Sequence, residues 1–304
     1  MAISLRIVSS DTSLRPGLAC EITPEGVLAA RRTDGEQATI AFAPLAAGVV
    51  KPGLGEPNFA DSSVVTAALR QALDEVASRD TKLTLVVPDA AVRVLILDFD
   101  SLPSKAQEAL PIVRFRLRKL TPFEVDDAAV SYQVMRHEQD QMRVLVTVMP
   151  AAIRSEYENA VRAAGYEPGV LLPSMLASLA ALGSDEAALV VNRNGLSLTT
   201  AITNGDELLL HRTLELPASG AARREELAQS VSVASAYFED TLHTAPDVLY
   251  YAGPGGAEEF IAALGAETSD GLRVVRDLVP TPTTGVVSAM PKGLAAGVMG
   301  ALAS

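Results

Sequence analysis

The sequence contains a single cysteine, Cys20, in 304 residues. It has no partner for an intrachain disulfide, and no CxxC pair exists for a structural zinc. A disulfide scaffold and a thiolate metal module are excluded, and a reducing compartment is expected. Histidine is also scarce. His137, His211 and His243 lie far apart, none with a metal-ligand neighbour four residues on, so they read as structural or surface side chains. No GxxxxGK(S/T), GxSxG, HExxH or complete GxGxxG motif is present. Long apolar runs are missing too. Gly293 to Ala303 falls far short of the ~20 residues that span a bilayer, and the opening MAISLRIVSSD lacks the apolar core of a signal peptide. Positive charge is in deficit, with a net charge of −12. Residues 1–150 hold 16 basic and 19 acidic groups, and residues 151–304 hold 9 and 18. Such a field repels phosphate backbones, so no nucleic-acid partner is expected. These absences describe a soluble, cytoplasmic, globular protein.

Alternating strand and helix patterns run the length of the chain. Ala2 to Val8, Leu18 to Ile22 and Val27 to Arg31 read as three strands, the last two joined by the turn Thr23-Pro24-Glu25-Gly26. After the loop KPGLGEP, a helix capped by Asp61 or Ser62 runs to Ser78 with Val65, Leu69, Leu73 and Val76 on one stripe. Lys82 to Pro88 is a continuous apolar strand. Val92 to Phe99, Ser104 to Leu120, Ala129 to Met135 and Met142 to Met149 then form a strand–helix–strand–strand module. Beyond the helix Ala151–Ala164, the strand Gly169–Leu172 and the helix Ser174–Leu182, a three-strand pattern returns. Its strands are Ala187–Asn192, Leu196–Thr203 and Glu207–Leu216, with Asn204-Gly205 as a hairpin turn. A helix to about His243, the strand Val248–Tyr251, the helix Ala257–Leu264, the strand Leu272–Leu278 and a helix from about Lys292 complete the chain. Each half opens with a meander and continues with alternating elements, which predicts two related lobes with a cleft between them. The boundaries are 1–88 for the first-lobe core, 89–150 for the inserted module, 151–182 for the return to the first lobe, and 183–304 for the second lobe.

Three stretches invite a chemical reading. Gly253-Pro254-Gly255-Gly256 joins a strand to a helix, where bare amides can hold a phosphate; a tight connection also needs those glycines. Asn192-Arg193-Asn194-Gly195 is a hairpin turn, with Arg193 available to an anion and no carboxylate for Mg²⁺. The helix Ser104–Leu120 bears Arg114, Arg116, Arg118 and Lys119 against one acid, Glu108, either as a solvated face or as a surface for acidic partners or membranes. Pro111 within it predicts a kink or a later start.

The stretch Leu85–Leu182 resembles the type IV pilus assembly protein PilM, and more distantly the cytoplasmic part of the type II secretion protein GspL and the division protein FtsA. The matching pieces, in order, include Val87-Pro88-Asp89, Val94 to Phe99 with Leu102-Pro103, and Leu120-Thr121-Pro122-Phe123 followed by Glu124-Val125-Asp126-Asp127. Tyr132-Gln133-Val134, Val144 to Val148 and Ala163-Ala164-Gly165-Tyr166-Glu167-Pro168 follow. The resemblance implies an α/β, actin-like (ribonuclease H-like) fold of two lobes, with the module as the displaced subdomain of the first lobe. It implies a scaffold on the inner face of the inner membrane, held there by partners. That scaffold binds the cytoplasmic tail of a PilN-type membrane protein in a groove between the module and the rest of the first lobe, with pilus or secretion ATPases as further partners. Arg114, Arg118 and Phe123 are the expected contacts with the tail.

ATP with Mg²⁺ is the cofactor such a fold takes, through Asp-x-Gly-Ser/Thr loops at the start of each lobe. Here the first loop, placed at Ser9–Ser13, has no glycine and offers only Asp11 and Thr12; the second offers Asn192 and Gly195, with Asn where Asp is usual. Gly253, Gly255 and Gly256 match the adenosine-side turn. Without those carboxylates hydrolysis, and hence an enzyme, is not expected, no cofactor is assigned, and binding of ATP with Mg²⁺ stays open. The alternatives are an active actin-like ATPase or sugar-kinase relative, and a GspL-type cytoplasmic domain that docks a secretion ATPase.

Overall fold

The computed structural model describes residues 16–33, 38–76, 80–138, 141–182, 186–265, 274–280, 285–286 and 288–303. Two five-stranded sheets carry the two lobes. In the first, β1 (Leu18–Ile22), β2 (Gly26–Arg32) and β3 (Ala38–Pro44) form an antiparallel meander. β4 (Lys82–Val87) and β8 (Glu167–Pro173) add in parallel to give the order β3-β2-β1-β4-β8. In the second, β9 (Ala188–Asn194), β10 (Ser197–Asn204) and β11 (Glu207–Glu215) repeat the meander. β12 (Val248–Ala252) and β13 (Val274–Asp277) extend it in parallel, giving β11-β10-β9-β12-β13. The expected internal repeat is therefore real at the level of strand order and direction.

The first meander differs from the sequence reading in its members. The strand read at 2–8 lies outside the described residues, and β3 takes the third place. β3 is ATIAFAP, in which three alanines dilute the β-branched and aromatic signal that usually marks a strand. It is nonetheless buried from Ile40 to Ala43.

The two faces of the first sheet follow the two-residue period of a strand. Leu18, Cys20 and Ile22 face one core, shared with Val65, Leu69, Leu73 and Val76 of α1 (Ser62–Val76) and with Ile153, Tyr157 and Val161 of α3 (Ala151–Ala163). Asp61 caps α1, its Oδ1 accepting from the Ser63 amide at 2.9 Å and the Ser63 hydroxyl at 2.6 Å. Ala19 faces the other core, with Leu28, Ile40, Val86 and Leu294, Val298 and Leu302 around α7 (Ala296–Ala303). The last helix thus crosses back from the second lobe to cover the first sheet and packs on α4 (Ser174–Leu179). Glycines permit that approach. A Cβ at Gly300 would run into the Ala177 carbonyl, and one at Gly297 into the Glu21 carboxylate.

The module is the antiparallel sheet β5-β7-β6, from β5 (Arg93–Phe99), β6 (Ala129–Glu138) and β7 (Gln141–Met149), with α2 (Ala106–Leu117) laid against it. α2 runs through Pro111, which sits on the exposed side. The module's own core gathers Val113, Leu117, Val125, Val144, Val146 and Val148. Arg143 of β7 reaches Glu207 of β11 at 3.1 Å, bracing the module against the second lobe.

In the second lobe, α5 (Gly220–Leu242) packs Leu227, Val231, Ala234 and Phe238 onto the sheet. α6 (Gly256–Leu264) follows β12 through the glycine turn.

Candidate functional site

The hairpin turns that end β1 and β9 meet where the lobes face each other. In the first lobe this turn is Thr23–Gly26, the position that Asn194–Leu196 holds in the second; Asp11 and Thr12 lie outside the described residues. The Gly195 amide donates to Glu25 Oε1 at 3.0 Å. A Cβ on Gly195, whose φ is +61°, would sit 2.9 Å from the Pro24 ring. Pro24 contributes no amide of its own. The two turns are therefore closed onto each other, with a carboxylate between them.

Directly behind lies a buried polar network. Glu21, in an otherwise apolar strand LACEI, is 2% exposed. Its Oε1 accepts from the Ser174 hydroxyl at 2.6 Å, at the start of α4. Asn192 Nδ2 donates both to Ser174 Oγ at 2.9 Å and to Asp89 Oδ2 at 3.1 Å. Asp89 Oδ1 accepts from the Met175 amide at 2.9 Å. The network thus ties the first sheet, the module junction, α4 and the second sheet together.

Burial dominates the electrostatics here, because it penalises the charged carboxylate. It pushes Glu21 up to about 8, helped by the charges of Asp89 and Glu25 and opposed by the Ser174 hydrogen bond and the Val298 backbone. It pushes Asp89 up to about 6, opposed by hydrogen bonds from Met175, Thr199 and Asn192. Nearby His211, half-buried with Nε2 enclosed and unpartnered, is lowered to about 4 by desolvation.

The glycine turn between β12 and α6 is likewise occupied by the chain itself. Gly255 and Gly256 have φ of +83° and +67°, which side-chain-bearing residues rarely adopt. The amide of Ala257, in the first turn of α6, donates to Asp277 Oδ1 at 2.7 Å. The Gly253 amide donates to the Gly293 carbonyl at 2.9 Å. Arg193 Nη2 and the Tyr251 hydroxyl reach the Pro254 carbonyl at 3.4 and 3.3 Å. Asn192, Gly195 and the glycines Gly253, Gly255 and Gly256, singled out from sequence, lie around one junction, where Asn192 and the amides of Gly195, Gly253 and Gly256 are engaged by the protein.

A cleft of about 1200 Å³ opens beside the paired turns. Its walls are the loop 45–54 of the first lobe, the start of β5, the turn at Gly195, and the outer strand β11. β5 and β11 are edge strands of their sheets, so unpaired backbone groups border the space. Lys51, Arg93, Arg193, Arg212 and Arg223 face it against Glu25, Asp89 and Glu215, a local cationic excess in an acidic chain. The loop wall is pinned. Asn58 bonds Gly53 and Glu56, its amide and that of Phe59 donate to the Glu156 carboxylate, and the Tyr157 hydroxyl caps Asn58 Oδ1 at 3.0 Å.

The residues expected to hold a partner lie elsewhere. Arg114 donates to the carbonyls of Val125, Asp126 and Ala128, clamping the loop that returns from α2 to β6. Arg118 pairs with Asp126 on the surface at 2.8 Å, and Phe123 packs against the module core. None of the three borders the cleft. Reading the sequence missed Glu21, Glu25, Ser174 and Asp277. The one local signal was a carboxylate inside an apolar strand at Glu21.

Among the described residues no helix is long and apolar enough to cross a membrane, and no three His, Cys, Asp or Glu side chains gather as a metal site. No family model matches the sequence, and no curated protein does. Solved structures do. A structure described as the PilM-PilN type IV pilus biogenesis complex aligns over 94% of this chain and 97% of its own, with a TM-score of 0.74 at 18% identity. The cytoplasmic domain of EpsL, an inner-membrane component of the type II secretion system of Vibrio cholerae, aligns over 94% and 92% at TM-score 0.50 and 14% identity. The ethanolamine utilization protein EutJ from Carboxydothermus hydrogenoformans aligns over 99% and 94% at TM-score 0.51 and 11% identity. With two matching sheets, a cleft between lobes and a displaced module, the chain has the actin-like fold, and it resembles PilM across nearly its whole length.

Proposed function

We propose that the chain is a non-hydrolysing actin-like scaffold of a type IV pilus or type II secretion platform. It works at the cytoplasmic face of the inner membrane by gripping the extended cytoplasmic tail of a PilN-type membrane protein. The observation that carries this reading is the contrast between two neighbouring spaces. The turns that would cradle phosphates are filled by the chain's own groups, whereas the cleft bordered by β5 and β11 is open and firmly walled.

The residues at the turns do not fit a magnesium nucleotide. Pro24 has no amide, the Gly195 amide is taken by Glu25, and the Ala257 amide is taken by Asp277. Glu25 would repel phosphate, and Glu21 and Asp89 are buried within their own network instead of facing a metal. The cleft instead suits a peptide laid along an exposed strand edge, where main-chain hydrogen bonds supply affinity and the pinned loop selects side chains. A synthetic PilN-type tail, labelled and titrated by fluorescence anisotropy, is expected to bind saturably and to be displaced by its unlabelled form. Calorimetry with Mg-ATP is expected to show no micromolar binding, and phosphate release to stay at background. Absence of tail binding, or measurable turnover, would overturn the proposal.

A further inference from the structure

The α2 helix holds large apolar side chains in water among cations. Phe115 is 65% and Ile112 42% exposed, and Leu120, just past the helix end, is 39% exposed. Phe115 is the most exposed large apolar side chain described. Lys105, Glu108, Ile112, Phe115 and Lys119 follow one another at spacings of 3, 4, 3 and 4, which keeps them on one stripe from the N-cap to the turn beyond Leu117. Lys105 pairs with Glu108 at 3.4 Å. Arg116 flanks the stripe beside Ile112, and neither Arg116 nor Lys119 is ion-paired among the described residues, so two free positive charges border the apolar groups. Acids near α2 lie on its other flank, where Arg118 draws Asp126 and Glu124 to itself. Residues 89–150 hold 8 basic and 9 acidic groups, so the net charge of −12 is carried almost wholly outside the module.

We propose that α2 rests on an anionic phospholipid surface, with Phe115, Ile112 and Leu120 at the acyl boundary and Arg116 and Lys119 among the phosphates. Size argues against a protein occupant. Three apolar side chains on a convex helix fall well short of the roughly 1,000 Å² that a specific interface buries, whereas a headgroup layer moulds itself to side chains that protrude. Charge argues for an acidic surface. Cations gain energy beside an anionic leaflet, and the Debye length of about 8 Å at physiological ionic strength screens them from the acids elsewhere on the chain. So few groups give weak and reversible binding, which becomes effective when a second tether holds the chain at the membrane. α2 packs on β6, the edge of the module sheet opposite β5, and β5 is the strand that borders the cleft. Lipid and a peptide can therefore be held at once, and the lipid contact is independent of the cleft and its occupant.

Vesicle flotation of the full chain, with no peptide present, tests it. In low salt (about 50 mM), vesicles of phosphatidylglycerol and phosphatidylcholine in equal parts are expected to carry the protein about tenfold better than phosphatidylcholine alone, and about 500 mM salt should remove most of that difference. Arg116→Gln combined with Lys119→Gln is expected to lower the partition coefficient roughly thirtyfold, and Phe115→Ser about tenfold. The chain has no tryptophan, so Phe115→Trp supplies a single indole. Its emission should shift to the blue and lose access to acrylamide when the anionic vesicles are added, whereas that of Tyr237→Trp, exposed on α5, should stay unchanged. Every substitution is at an exposed side chain, and circular dichroism checks that each variant is folded. A wild type that does not float, equal flotation with both lipids, variants that float like wild type, or a Phe115→Trp emission unmoved by vesicles each overturns the proposal. So does a blue shift of Phe115→Trp that grows with protein concentration in the absence of lipid, which assigns the face to a protein contact.

Discussion

Replacing Glu21 with Gln should remove most of the pH dependence of stability above neutrality. In the folded protein burial raises the Glu21 carboxyl from its ordinary 4.5 to about 8, so between those values the folded state holds a proton that the unfolded chain has released. Stability is then full below about pH 4.5 and falls as pH rises through 8. The loss is about 1.4 kcal/mol per pH unit, for a total on the order of 5 kcal/mol by pH 9. At roughly 2 °C per kcal/mol for a chain of this size, that is a fall of about 10 °C in Tm. Gln resembles the protonated acid in shape and charge, and its oxygen can still accept from Ser174. The two proteins should melt together near pH 4.5, separate progressively to about pH 8 with the variant higher, and run parallel beyond it.

Two other desolvated groups bend the curve at lower pH. Asp89, raised to about 6, costs stability as pH rises from about 4 to 6, whereas His211, lowered to about 4, adds stability up to its ordinary 6.5. Both are nearly complete by pH 7, so the rise from pH 7 to about 8, where roughly 1.4 kcal/mol of the Glu21 loss remains (about 3 °C), isolates Glu21. Differential scanning calorimetry across pH 5 to 9 reads the effect. Tm curves for the two proteins that stay parallel from pH 5 to 8 would refute the assignment of a buried proton to Glu21.

Gly300→Ala should destabilise by about 2–4 kcal/mol, because the new methyl meets the Ala177 carbonyl and lifts α7 off α4. Helix propensity alone predicts the opposite sign, a gain of roughly 1 kcal/mol. Gly220→Ala, in open space at the start of α5, is the control and should be neutral or slightly stabilising in urea unfolding. Arg114→Ala should cost about 2–3 kcal/mol by leaving three carbonyls of the 125–128 loop without their donor, whereas Arg118→Ala should leave the melting temperature unchanged. Equal effects of the two arginine substitutions in thermal melts would show that the clamp is not structural.

Much of the architecture was legible because it is written locally. The order β5, α2, β6, β7 was read from periodicity, and α3 ends at the residue before its expected stop. The Asn204–Gly205 turn lies between β10 and β11 as its dipeptide requires, with Gly205 at φ +57°. What stayed hidden depends on pairs distant in the chain. Ser174 and Glu21 are 153 residues apart, Asn192 and Asp89 103, and Gly195 and Glu25 170. No local pattern announces that a hydroxyl and a carboxylate will share a proton-bearing contact. The return of α7 to the first sheet is hidden for the same reason, since its alanines and glycines look like any short buried helix. Arg114 is hidden in the same way: its spacing marks a cation on an amphipathic helix, whereas the three carbonyls of the 125–128 loop that its guanidinium reaches are set by the fold.

The buried network and the open cleft can be understood as one arrangement. Where a two-lobed protein closes on a ligand, the ligand's differential affinity sets the lobe equilibrium. Here the lobes are joined by the protein's own groups: Asn192 to Asp89 and Ser174, Gly195 to Glu25, and Arg143 to Glu207. Parting them strands buried donors and acceptors at about 1–3 kcal/mol apiece until water reaches them. The closed arrangement therefore needs no bound group to hold it. The cleft beside it inherits that rigidity, because one wall is the turn at Gly195 and another is the loop fixed by Asn58 and Glu156. A peptide entering a wall that is already ordered loses only its own freedom, so more of its contact energy appears as affinity. A glycine-rich hinge and free phosphate amides would have served a motor. Turns locked by Pro24, Glu25 and Asp277 suit the platform role proposed above, which asks for one fixed shape.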